Sequence, residues 1–272
     1  MGRKDGFDLI RCSRCGTVFT TEFPDNSEPL YEDLYQRSRL DDIPNIVQTR
    51  ATEIVNSFNP WRGRGRLLDV GCGVGHFLEA ASEAGWQPEG VEIADSAVHN
   101  LTSRGFNVHR GFLHELQYSS DLFDVVVASE VIEHVRDVDA FVAECVRVLR
   151  PGGLYYLTTP NGAGLSARLL GVRWSAVVPH DHLQLITPRG IRTLLGRHSL
   201  VTRQLFAEGL NPYELVARIR DRELGSGERV ASAYTLNTAF GATRARRRVK
   251  STINVALSVT KLGGGLKIYS EK

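Results

Sequence analysis

The sequence predicts an α/β fold, a mostly parallel sheet with helices on both faces, and three observations carry that reading. From Arg66 onward, short apolar strands alternate with amphipathic helices, the pattern that crossover connections between parallel strands require. The stretch LLDVGCGVGHF, Leu67–Phe77, joins a strand to a helix through three glycines. The segment DVVVA, Asp124–Ala128, is apolar through its middle, as a strand buried on both faces must be.

The elements follow in order. Residues 1–26 read as loop and carry Cys12 and Cys15. Residues 28–58 read as two helices, the second (IPNIVQTRATEIVNSF) bounded by Asn59-Pro60. Strands are predicted at 66–70, 87–93, 106–109, 124–128 and 153–159, with helices near 76–84, 95–103 and 136–149. Arg150-Pro151-Gly152-Gly153 reads as a turn that stops the third of these helices and feeds the next strand. A long loop, 160–187, precedes a helix near 188–197 and a strand near 200–206. LKIYSEK at the C-terminus is the last strand candidate. Before it lies an insertion, about 208–262, with helical patterning and many arginines. The expected division is therefore 1–26, a core over 27–207, the insertion 208–262, and a returning strand at 263–272.

Composition excludes several classes. With 42% hydrophobic and 24% charged residues the chain is an ordinary globular sequence, and a net charge of +2 gives no general call for nucleic acid. No apolar run approaches the roughly 20 residues of a membrane helix. The N-terminus MGRKDGFDLIRC lacks the apolar core of a secretory signal, and four scattered cysteines make no disulfide framework, so a reducing cytoplasm is expected.

The glycine loop narrows the ligand. Gly71 and Gly73 let the chain turn and let a ligand approach the backbone. A dinucleotide fingerprint needs G-x-G-x-x-G, but the required position is His76, and the third glycine comes one place early at Gly75. The second strand ends in Val91-Glu92, where a carboxylate can accept from both ribose hydroxyls. The site therefore offers a ribose clamp without a standard pyrophosphate cradle.

In register, LLDVGCGVGHF, GVEIAD, FDVVVASEVIEHV and LRPGGLYYLTTPN resemble the successive motifs of the S-adenosylmethionine-dependent methyltransferases of Rossmann-like fold, from about Arg66 to Asn161. The resemblance implies a seven-stranded, mostly parallel sheet with an antiparallel last strand. It also implies that Gly71, Cys72, Gly73 and Gly75 pass under the methionine part of the cofactor, that Asp69 orients its amino end, that Glu92 holds the ribose and that Ile93 packs on the adenine. Many relatives have Gly-Asp after the third strand; here it is Gly111-Phe112, so adenine recognition falls to the backbone and apolar groups of Phe112 and Leu113. S-adenosylhomocysteine would be the product.

Ser129-Glu130-Val131-Ile132-Glu133-His134 leaves the edge of the central strand, with Ser129 expected beside the cofactor methyl group. If a helix starts there, Glu130, Glu133 and His134 share one face and could hold magnesium. The pattern is similar to that of the ubiquinone-biosynthesis O-methyltransferases, where matching residues bind magnesium. The alternative is that His134 is a hydrogen-bonded packing residue. His180-Asp181-His182 sits in VVPHDHLQLITP, which looks like a His-Asp segment of the same group. It would overhang the methyl donor and supply a general base, or His182 would pack or cap the helix marked by Thr187-Pro188.

Cys12-Ser13-Arg14-Cys15-Gly16 resembles one knuckle of a zinc ribbon. A structural zinc needs two such pairs, and Cys72 and Cys145 lie elsewhere, so a metal-free remnant is favoured over zinc. Arg218, Arg220, Arg222, Arg244, Arg246, Arg247, Arg248 and Lys250 in the insertion suit an anionic acceptor or a membrane surface, or simply form a solvated face. The reading that results is a methyltransferase acting on a small molecule, with a hydroxyl oxygen as acceptor. An RNA methyltransferase and a non-catalytic regulator that binds the cofactor are the rivals, and nucleic acid is disfavoured because an aromatic stacking surface is missing. Oligomeric state is open.

Overall fold

The computed structural model describes residues 2–22, 45–211 and 244–272. The expected first helix of the 28–58 pair, and Arg218, Arg220 and Arg222, lie outside the described residues. In chain order the strands are β1 (Gly2–Lys4), β2 (Phe7–Arg11), β3 (Val18–Thr20), β4 (Arg66–Val70), β5 (Gln87–Glu92), β6 (Asn107–Arg110), β7 (Phe123–Ser129), β8 (Leu149–Pro160), β9 (Gln184–Leu185), β10 (Val201–Glu208) and β11 (Gly265–Glu271). The helices are α1 (Asn45–Asn56), α2 (His76–Glu83), α3 (Asp95–Ser103), α4 (Val138–Val148), α5 (Leu165–Leu170), α6 (Pro188–Arg197) and α7 (Arg244–Thr260).

A seven-stranded sheet runs β10-β11-β8-β7-β4-β5-β6. β4 pairs in parallel with both β5 and β7, and β5 pairs in parallel with β6. β11 runs antiparallel to β8: Gly152 N–H donates to Lys272 O at 2.8 Å near the start of β8, and Asn161 N–H to Gly264 O at 2.8 Å beyond its end. The chain winds outward through β4, β5 and β6 and then returns to the other side of β4 with β7. That reversal puts a topological switch point at the carboxyl ends of β4 and β7, where ligands bind in sheets of this kind. The turn expected at 150–153 is absorbed into β8, because the pairing of Gly152 and Gly153 with Lys272 holds it in the ladder.

Two compact units divide the described residues. One draws on Pro24–Leu157, Leu195–Arg203 and Tyr269–Lys272. Its centre is β7, where every residue from Phe123 to Ala128 is buried. α2 buries Leu78, Ala80 and Ala81, and α4 buries Val142, Cys145 and Val148 behind the Asp137 cap, whose carboxylate accepts from Ala140 N at 2.9 Å. Asp124 ties the entry of β4 to β7: it accepts from Gly65 N (2.6 Å), Arg66 N (3.1 Å) and Arg150 Nε (2.6 Å).

The other unit draws on Met1–Phe23, Thr158–Leu194 and Gln204–Ile268. Here the N-terminal residues expected to be loop form three strands of a sheet ordered β1-β2-β3-β9. The reason is local. Asp5-Gly6, both at positive φ (49° and 87°), is the two-residue turn that suits a hairpin's twist, and it brings Lys4 opposite Phe7. Leu9, Val18 and Leu185 then pack with Leu170, Trp174 and Val177 into a core of their own. α6 matches its predicted range, with the Thr187 hydroxyl accepting from Gly190 N at 3.0 Å and donating to Cys15 O at 2.6 Å.

Candidate functional site

The switch point gathers the predicted cofactor residues of the first unit. Asp69 and Val70 end β4, Glu92 ends β5, and Ser129 ends β7. Gly71, Gly73 and Gly75 all take left-handed φ (71°, 54° and 88°). At two of them a side chain has no room: a Cβ on Gly71 would meet Val131 Cγ2 at 2.6 Å, and one on Gly75 would meet Leu101 Cδ2 at 2.4 Å.

The loop's amides are turned inward. Gly71 N and Cys72 N donate to Val91 O, Gly75 N donates to Cys72 O, and Gly73 N donates to Glu92 Oε2 at 2.9 Å. The other Glu92 oxygen accepts from Ile93 N (2.8 Å) and Ala94 N (3.1 Å). These four amides are therefore already satisfied within the chain and are not offered to an anion. The Cys72 thiol is packed over Gly90 with Leu78, Leu101 and Val108, and burial pushes its pKa well up, so Cys72 contributes backbone and packing rather than thiol chemistry.

Asp69 sets the electrostatics. It is buried, and its Oδ2 has no hydrogen-bond partner among the described residues. Burial, reinforced by the nearby Glu92 carboxylate, pushes its pKa up to about 8. A buried acid with an empty acceptor beside a second carboxylate favours a positively charged group and repels phosphate.

Past β5 and β6, Ile93 is half-buried, Leu113 is buried and Phe112 is exposed. Phe112 N–H, expected to serve adenine, donates to Glu115 Oε2 at 2.8 Å in the free chain. Directly after β7, over 130–134, no α-helix forms. Glu130 takes a left-handed φ of 55° and is exposed, and only a 3₁₀ turn, Ile132–His134, follows, with Glu133 buried. The single helical face expected for Glu130, Glu133 and His134 is thus not made; Glu133 Oε1 lies 4.0 Å from His134 Nε2.

In the other unit, His180 is exposed while Asp181 and His182 are half-buried. His182 Nδ1 lies 2.8 Å from Ala176 O, a group that can only accept, so Nδ1 carries a proton. Asp181 Oδ2 is 3.8 Å from His182 Nε2. At the knuckle, the backbone N–H groups of Cys15 and Arg14 and the Cys15 thiol hold the Cys12 pKa below its usual value.

A methyltransferase-domain family matches residues 45–205, more than half of the chain. The chain belongs to the S-adenosylmethionine-dependent methyltransferases. It is 29% identical over 174 residues to a ubiquinone biosynthesis O-methyltransferase of Mesorhizobium japonicum, covering 60% of this chain and 70% of that protein. It is 32% identical over 154 residues to the Bradyrhizobium sp. protein of the same description, covering 51% of this chain and 60% of that one. A crystal structure of a SAM-dependent methyltransferase from Archaeoglobus fulgidus superposes with a TM-score of 0.57 at 20% identity, over 91% of this chain and 100% of that one, and supports the fold.

Sequence reasoning passed over two polar groups of this methyltransferase. Gln48, on α1, accepts from His76 Nδ1–H through Oε1 at 3.0 Å, while its buried Nε2 has no partner among the described residues. Burial, aided by Arg104, lowers the His76 pKa and keeps the imidazole neutral. A single Gln on a helix gives no sequence signal of its own. His76 gave one by standing where a dinucleotide loop needs glycine.

Proposed function

We propose that this chain transfers a methyl group from S-adenosylmethionine to a hydroxyl oxygen of a small-molecule acceptor. The observation that carries the cofactor half is Asp69: a buried carboxylate with an unpaired oxygen beside Glu92 suits a ligand with a cationic amino end. Asp69 would hold that end, Gly71, Gly73 and Gly75 would pass under the methionine part, Glu92 would take the ribose hydroxyls, and Ile93, Phe112 and Leu113 would flank the adenine. When bound, the cofactor supplies a methyl group already activated by its sulfonium. Most of the remaining acceleration then comes from holding the acceptor oxygen in line with that methyl group.

Oxygen as the acceptor atom is supported by the description of the relatives and by the state of His182. With Nδ1–H donated to Ala176 O, Nε2 can take the proton of an acceptor hydroxyl, worth about 10²–10⁴-fold. Asp181, on the same side of the ring, then favours the imidazolium. Glu133 and His134 place a carboxylate oxygen and an imidazole nitrogen within 4.8 Å of one another, close enough to share a metal ion. Magnesium takes about six oxygens and normally keeps several waters, and Glu130, expected as a further ligand, is exposed at a left-handed φ of 55°. No step is assigned to the ion.

The reading is tested by calorimetric titration with S-adenosylhomocysteine, followed by transfer of labelled methyl to a panel of catechols and hydroxy acids with and without chelator. Micromolar binding that Glu92→Ala abolishes is expected, with turnover of at least one hydroxylated acceptor that falls 10²-fold or more in His182→Ala, an estimate from general-base contributions. Absence of binding would sink the cofactor assignment. Methyl appearing only on nitrogen or carbon would sink the acceptor assignment alone.

A further inference from the structure

Helix α7 is fixed on one side and exposed on the other among the described residues. Its inner side docks against β10 and the turns around it. Ser258 Oγ accepts from Ala207 N at 3.2 Å, Asn254 Oδ1 accepts from Gly209 N at 3.2 Å, Lys261 Nζ donates to Leu205 O at 2.8 Å, and Leu257 is buried. The outer side carries Val255, 59% exposed, and Val259, 76% exposed, with Ile253 and Ala256 also exposed. Thr252 and Thr260 lie among them, and their hydroxyls do not face water as free groups. Each donates to the carbonyl four residues back, Arg248 O at 3.1 Å and Ala256 O at 2.8 Å. What the outer side offers is therefore aliphatic: isopropyl, sec-butyl and methyl groups over the last three turns.

The other end of the same helix is strongly basic. It opens RARRRVK, five cations in seven residues, and its 17 residues contain no acid. Cations at a helix N-terminus oppose the macrodipole, and like charges three and four residues apart repel. An anionic partner would remove both penalties.

We propose that the outer face of α7 is a peripheral docking surface for an anionic lipid bilayer, the arginine-rich turns at the headgroups and the valine face sunk into the interface. Two other occupants are disfavoured by the same residues. A second copy of the chain would bring the same five cations and, on this helix, no acid to neutralise them. Single-stranded RNA would be read by aromatic stacking, and α7 has no Phe, Tyr, Trp or His.

The test is co-sedimentation of the full chain with phosphatidylcholine vesicles, with and without phosphatidylglycerol. Binding is expected only with phosphatidylglycerol, weakening as salt rises. It should fall by about tenfold or more in Val255→Ser/Val259→Ser, from the loss of two inserted aliphatic groups, while the thermal midpoint stays unchanged. Equal binding to both vesicle types, or anionic binding that the valine pair does not alter, would overturn the proposal. So would tight binding of a single-stranded RNA in place of vesicles, or a dimer that the valine variant splits with no vesicle binding. If the double variant loses stability, Arg248→Glu, at a single exposed position, carries the test through the charge.

Discussion

The role proposed for Asp69 predicts a proton-coupled cofactor site. In the free chain its carboxyl is pushed up to about 8 by burial first and by Glu92 second, so at pH 6 it is protonated. A ligand whose cationic end is held by the carboxylate must expel that proton. Below pH 8 each unit of acidification therefore weakens binding by up to tenfold, about 1.4 kcal/mol. Between pH 7.5 and 5.5 the affinity for S-adenosylhomocysteine should fall by a factor on the order of 10² at most, with close to one proton released per ligand at the acid end. Titrations at one pH in buffers of different ionisation enthalpy read the proton count directly.

Asp69→Asn is the control. The amide keeps the shape, cannot ionise, and should bind weakly at every pH with no proton release. The same shift acts on the free chain with definite sign. The folded pKa lies above the unfolded value of 3.8, so the folded state holds the proton more tightly. Its stability relative to Asp69→Asn should fall as pH rises from about 4 toward 8. An affinity flat from pH 5.5 to 7.5, with no proton released, would refute the reasoning and leave Asp69 a neutral packing group.

Legibility tracked locality. β4, β7 and α6 were read almost to the residue because strand burial, apolar periodicity and the Thr187-Pro188 start are all carried by neighbours in sequence. The N-terminal sheet was not read, although its clearest signal, Asp5-Gly6, was there. β1 and β3 have three residues each, too short for alternation to show, and β3 is completed by β9 from far along the chain. The segment after β7 failed differently. Glu130, Glu133 and His134 have helical spacing, but Val131 must lie against Gly71, and that contact goes with a left-handed Glu130 and a single 3₁₀ turn. The glycine loop's chemistry was legible as a departure from G-x-G-x-x-G. That its amides point inward, toward Val91 and Glu92, needed coordinates.

Two further outcomes test the packing around the site. Gly71→Ala combines a left-handed φ of 71° with a Cβ 2.6 Å from Val131 Cγ2, and should cost about 1–3 kcal/mol by urea denaturation together with most cofactor affinity. Adding Val131→Ala should relieve the clash and restore part of the stability, while the backbone strain of about 1–2 kcal/mol stays; no recovery would mean the contact is not what requires glycine. At the opposite end of the sheet, burial works against the Asp124 charge, but Arg150 and the amides of Arg66, Gly65 and Gly63 outweigh it, and its pKa lies below the usual carboxylate range. A lowered pKa gives stability that is full above the unfolded value of 3.8 and lost as pH falls through the folded one. Asp124→Asn should therefore cost about 2–4 kcal/mol at pH 7, from a broken, largely buried pair and weakened amide contacts. The difference from the parent should shrink as the pH drops below 4. A penalty that stays constant down to pH 2.5 would show that the carboxylate's shape matters at this junction and its charge does not.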